Sequence, residues 1–190
     1  MAEQPPLPDT VTPAQFFEEL LPMGFATQQA AAAAPPPDVT LQYHIEGDGG
    51  GAWTVRIESG KMAVTRGQIE APLTVSLHVE AWRDAVLGRN GAVLSLVVPE
   101  GRAGRPENAQ RMNALKGTMA LELSRDGADP FKLEMRFNNA PQPRTTMKMK
   151  IADYIAMQAG KLNGQEAFMT GKLRVEGDLA FLMQIATLTQ

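Results

Sequence analysis

The chain offers few groupings that could do chemistry, and each is better read as structure. Gly47-Asp48-Gly49-Gly50-Gly51-Ala52 begins like the G-x-G-x-x-A loop that cradles a pyrophosphate at a helix N-terminus. That chemistry needs a strand before the loop and a helix after it. Here an alternating strand pattern follows, so the glycines read as a hairpin turn. The two histidines, His44 and His78, fall on the polar phases of strand patterns; a Ser–His–Asp arrangement would need a nucleophile within hydrogen-bond reach of one of them, and a solvent-face strand histidine is the commoner reading. Glu18-Glu19 lies on a solvated helix face, and no His, Asp or Glu cluster has metal-ligand spacing. Arg102, Arg105 and Arg111 surround a Gly-rich loop at 99–107 and could hold an anionic head group, although a solvated loop is the better reading. With no cysteine in the chain, disulfides and thiolate metal sites are excluded.

The distinctive chemistry is apolar. Of the 11 Met residues, Met147, Met149, Met157, Met169 and Met183 fall within 145–188. Met is flexible and polarisable, and it suits a surface that must fit changing partners. The segment reads as strand, helix, tight turn, short helix, strand and helix, and it contains no acid–base pair. A compact apolar unit without a reactive group reads as a container for an apolar ligand.

The elements that must position this unit follow from periodicity. A Pro-rich stretch at 1–11 is expected to be a disordered tail, followed by one domain over 12–190. A helix should start at Thr12 with Pro13 in its first position, and Pro22 and Gly24 are expected to interrupt it. Strands are expected at 41–46, 53–58, 62–65, 73–79, 118–124, 131–137 and 145–151, with further strands beyond a minimal unit in 92–144. A short helix should span 80–87 and end at Gly88. Residues 73–91 and 145–164 share a strand–helix–Gly–Asn–Gly rhythm, a weak internal repeat. Asp178 is a candidate N-cap for a last helix that is apolar nearly all round. Its Leu179, Leu182, Met183 and Ala186 form one stripe, and Phe181, Ile185 and Leu188 form another.

A net charge of −3 gives no electrostatic case for nucleic acid. The N-terminus lacks a basic start and an apolar stretch, and no apolar run approaches the ~18 residues of a membrane span. The expectation is a soluble, cytoplasmic protein.

The run from Gly160 to Asp178, GKLNGQEAFMTGKLRVEGD, resembles the signature of the sterol carrier protein 2 family, with Gly164 in place of the usual Pro. The glycine turn leading into Trp53-Thr54-Val55 resembles that family's early hairpin. The likeness is strong over 145–188 and moderate over 41–91, whereas 92–144 departs from it. The resemblance implies an α+β fold, with a mainly antiparallel twisted sheet and helices on one face. It also implies an apolar tunnel closed by the C-terminal helix as a lid. The implied function is non-catalytic binding and intracellular transfer of a sterol, fatty acid or acyl-CoA type lipid, with no cofactor and no metal. Transient membrane contact is left open, as is oligomeric state. From the resemblance and the strand phase, Met147, Met149 and Ile151 should line the tunnel from one strand, and Leu173 and Val175 from another. Tyr154, Met157, Phe168 and Met169 should line it from the short helices, and Phe181, Leu182 and Ile185 from the lid. Gln165 should meet a ligand head group. The alternatives are a dimerisation module, whose last helix docks on a partner protein, and an enzyme accessory.

Overall fold

The structure is a computed structural model in which residues 7–30, 35–97 and 111–186 are described. Arg102 and Arg105 of the expected anion loop lie outside the described residues.

Thr12 caps the first helix in a reciprocal capping box with Gln15, with Pro13 in the first turn, as its sequence demands. The expected interruption at Pro22 does not occur. Helix α1 (Pro13–Gln15), a π-helical turn (Phe16–Leu20) and α2 (Leu21–Ala30) follow one another directly. The widened turn sits just before Pro22, whose ring would clash with a regular α-helical carbonyl four residues back.

The strands are β1 (Val39–Glu46), β2 (Gly51–Glu58), β3 (Lys61–Arg66), β4 (Leu73–His78), β5 (Gly117–Arg125), β6 (Ala128–Phe137), β7 (Arg144–Lys150) and β8 (Arg174–Gly177). They form one eight-stranded sheet in the order β3-β2-β1-β4-β6-β5-β7-β8. The sheet is mixed, which corrects the mainly antiparallel expectation. β1 runs parallel to β4 and β5 parallel to β7, while the remaining pairs are antiparallel. Each parallel pair needs a crossover, and local alternation carries no trace of strand direction.

The second strand of each parallel pair ends in the same way. His78 ends β4 and its Nδ1 accepts the Glu80 N–H at 3.4 Å, which starts α3 (Val79–Leu87). Lys150 holds the equivalent extended position at the end of β7 and starts α4 (Ile151–Gln158). Val79 and Ile151 are therefore first helical residues, buried, rather than the last residues of strands. α5 (Gly164–Met169) and α6 (Leu179–Ala186) complete the C-terminal half.

The registers of the two halves match. In the first, Tyr43 faces Trp53 on one side and Val75 on the other. In the second, Leu121 faces Leu133 and Met147 in the same places. The repeat read over 73–91 and 145–164 thus extends to a hairpin, a parallel third strand and a following helix in each half. The halves meet where β4 pairs with β6, at Leu73↔Phe137 and Val75↔Met135. Leu41, Tyr43, Trp53, Val75, Leu121, Leu133 and Met147 share the apolar face of the sheet, and the helices pack on it. The other face is polar, with Glu134 paired to Arg136 and Arg144, and Lys148 paired to Glu176.

Candidate functional site

The C-terminal unit is built outward from β7. Its pleat turns Met147 and Met149 to the apolar face, with Met147 between Leu121 and Val175 and Met149 beside Leu123. Ile151 is buried where the chain turns into α4. Tyr154 and Met157 follow on the half-buried face of that helix. Burial holds the Tyr154 phenol above its ordinary pKa range, opposed by a hydrogen bond with Gln158.

The turn after α4 is drawn back onto the helix, because the N–H groups of Lys161 and Leu162 both donate to Ala156 O, at 2.8 and 3.2 Å. Gly160 sits there at φ 70°. Asn163 then caps α5 by accepting the Glu166 N–H at 2.7 Å. The Lys172 Nζ–Asp153 pair, 3.1 Å, ties the far side of α5 to α4. Leu173 is buried and its N–H donates to Ala167 O at 2.9 Å. It stands one residue before β8 rather than within it.

Asp178 opens the last helix by accepting the Phe181 N–H at 2.8 Å. Its own N–H donates to Arg144 O on β7 at 2.9 Å. Phe181 and Ile185, four residues apart, face inward together. Phe181 meets Phe137 edge to face at 6.1 Å. It rests on Gly117, where an added Cβ would lie 2.6 Å from the Phe181 ring.

Met147, Met149, Ile151, Leu173, Phe181 and Ile185 are therefore brought into one core, with Tyr154, Met157, Val175 and Leu182 at its margin. Phe168 and Met169 are not: they are 51% and 77% exposed. Gln165 is exposed as well, at the start of α5. α5 is only six residues long, and Ala167 takes its inward position. One helical step further on, Phe168 and Met169 point outward. The expectation missed Gly117 as the seat of Phe181 and Phe137 as its neighbour. The alternation of 131–137 was visible, but not which helix would cross it.

Two open grooves lie elsewhere. One, of about 520 Å³, is lined by Pro22, Phe25, Gln29 and Ala30 from α2 and by Lys61 and Met62 of β3, among others. The other, of about 290 Å³, runs past Thr40, Arg56 and Asn113. Among the described residues no group of His, Asp and Glu could hold a metal ion. No helix of the described residues is long and apolar enough to cross a membrane.

Residues 100–190, just under half of the chain, match the model of the SCP-2 sterol transfer family. The match takes in β5 and β6, within the stretch read as departing from the family, and leaves 41–91 outside. No curated protein matches. Among solved structures, sterol carrier protein 2 from Yarrowia lipolytica, apo form, is 19% identical over 38% of this chain and 65% of its own, with a TM-score of 0.30. Sterol carrier protein 2 like 2 from Aedes aegypti is 13% identical over 91% of this chain and 96% of its own, at a TM-score of 0.22. A stereoselective inverting sec-alkylsulfatase from Pseudomonas sp. is 15% identical over 95% of this chain but 16% of its own, at 0.24. The chain thus spans less than two thirds of the Yarrowia protein and about a sixth of the sulfatase. The likeness read from the signature at 160–178 is found again in this match: residues 100–190 of the chain are similar to the SCP-2 sterol transfer family.

Proposed function

We propose that the chain is a single lipid-binding domain that takes up and transfers an apolar ligand without covalent chemistry. The observation that carries this reading is the family match over 100–190, which covers a Met-rich unit whose inward side chains are apolar. The ligand lies between β7 and α4, against Met147, Met149, Ile151, Tyr154 and Met157. Leu173 and Val175 close one side of it. α6 is the lid, with Phe181, Leu182 and Ile185 on its inner face. Because those side chains meet one another in the structure, uptake requires α5 and α6 to move outward together. Phe168, Met169 and Gln165 then border the entrance rather than the interior.

The energetics support this role. Burying ~15 methylenes is worth on the order of 12 kcal/mol, at about 0.8 kcal/mol each. Association and ordering cost about 4–15 kcal/mol. Useful affinity needs no dedicated polar contact, and selectivity stays broad, since one methylene discriminates by only ~1–3 kcal/mol. The test is organic extraction of the purified protein with lipid mass spectrometry, followed by titration with a fluorescent fatty acid. Co-purified lipid and saturable uptake are expected.

A second reading is favoured by Leu179 and Met183, four residues apart on the outer face of α6 and both exposed. That face would dock on a partner chain. A mass that rises with concentration in light scattering, with no uptake of fatty acid, would favour it.

A further inference from the structure

The N-terminal repeat is filled differently from the C-terminal one. Trp82 of α3 stands at the position of Tyr154 of α4, each the fourth residue of its helix. Tyr43 and Trp53 stand where Leu121 and Leu133 do. The π-helical turn Phe16–Leu20 is packed onto this aromatic set. Phe17 stacks on Trp53 at 5.1 Å and lies 4.9 Å from Tyr43, while Phe16 meets Trp82 edge to face at 5.7 Å. Beside the rings, Glu18 Oε1 accepts the Trp53 Nε1–H at 2.8 Å. The turn therefore presents an apolar body with a carboxylate at its edge, the chemical outline of a fatty acid. The second indole has no such partner. Trp82 is fully buried, and its Nε1–H meets no acceptor among the described residues. A donor left without a partner in an apolar interior is costly and marks a position where an acceptor would gain.

The segment carrying these rings is weakly held beyond them. α2 buries none of its residues, and an open groove separates part of it from β3. π-helical turns recur at functional sites.

We propose that the N-terminal repeat holds a second apolar site, for the carboxylate and chain of a fatty acid, and that Phe16–Leu20 is the plug that keeps it closed. This rests on the lipid-binding reading of the C-terminal repeat. When the plug leaves, the N–H groups of Trp53 and Trp82 both become free for an incoming carboxylate.

Both tryptophans of the chain lie in this site, so their fluorescence reports on it alone. The experiment titrates the full chain with a dibrominated stearate, whose bromines quench tryptophan only near contact. Total uptake is measured separately, by equilibrium dialysis of labelled oleate. A site open for about 0.1–10% of the time binds with its affinity reduced by that fraction, so freeing it should lower the quenching midpoint about tenfold or more. Phe17→Ala, which unseats the plug, should show that shift. Should Phe17→Ala fail to fold, Glu18→Gln decides, since Glu18 is exposed and only its charge is lost; the quenching midpoint is then expected to fall by about twofold or more, because a neutral amide holds the indole N–H less tightly than a carboxylate does. Folded variants with unquenched tryptophan, or with a midpoint equal to that of the wild type, overturn the plug. Saturable oleate uptake with unquenched tryptophan in every protein overturns the plug and leaves the C-terminal site standing. Uptake seen only in Phe17→Ala, together with quenching, supports the plug and overturns the C-terminal reading.

Discussion

Gly117 and Met149 show how closely single residues control the C-terminal unit. Gly117 holds φ 139°, which L side chains rarely adopt, and an added Cβ would strike both the Phe181 ring and Pro143 O at 2.6 Å. Gly117→Ala should cost about 1–3 kcal/mol from backbone strain alone, and more as Phe181 and the start of α6 are pushed off the sheet. Denaturant unfolding measures the loss, and increased protease cutting near 179–186 would show where it falls. Met149 is buried against Leu123. Met149→Ala should destabilise by about 2–5 kcal/mol through the cavity it leaves. If lipid fills that space, saturating fatty acid should recover part of the loss in a melting experiment.

Residue type predicted direction well where burial is simple, and poorly where a polar group finds partners far along the chain. The alternation placed Leu41, Tyr43 and Ile45 inward, as observed. Gln42, on the opposite phase of the same strand, is fully buried too. Its Nε2 donates to Trp53 O at 3.2 Å and Gly67 O at 3.1 Å, while its Oε1 accepts from Thr54 Oγ1 at 2.9 Å and the Ile69 N–H at 3.0 Å. Those partners lie up to 27 positions away, beyond the reach of any local period.

At the scale of elements, caps and turns were the most legible features. Thr12 with Pro13, Gly88 after α3 and Asp178 before α6 act through bonds within a few residues, so short-range chemistry predicts them. The parallel pairings of β1 with β4 and β5 with β7 were not legible, because each depends on a crossover. The last helix was read as apolar nearly all round. Packing resolves this: Phe181 and Ile185 are taken by the core, while Leu179 and Met183 are left outside. α3 is fastened to the other repeat by the nearly buried ion pair of Asp84 with Arg125, at the end of β5. Arg125→Met should leave the Asp84 carboxylate, only 18% exposed, without its partner. The cost should be about 3–5 kcal/mol, read as a lower denaturant midpoint, and the double variant with Asp84→Leu should recover much of it.

For the molecule as a whole, the eight-stranded sheet with β4 against β6 at its centre implies one cooperative unfolding transition. Alkaline pH tests this. Burial raises the phenol pKa of Tyr43 and Tyr154, one in each repeat. A raised folded pKa leaves the associated stability intact below the unfolded value near 10 and removes it as pH rises through the folded one. Stability should thus be insensitive to these groups up to about pH 10 and fall above it, with both repeats lost together in circular dichroism. Two separate steps would mean that the repeats fold apart. The repeat itself was visible only as a weak rhythm over 73–91 and 145–164. Its full extent emerged from the register, because the paired positions, Tyr43 with Leu121 and Trp53 with Leu133, share burial rather than residue type.

The central claim is that the C-terminal repeat binds lipid, and titration of the purified chain with a fluorescent fatty acid tests it most directly. The account predicts uptake that saturates in the micromolar range or tighter, about −8 kcal/mol or better, and that natural lipid competes away. Fluorescence that rises without saturating, with no lipid in the organic extract of the protein, would contradict it.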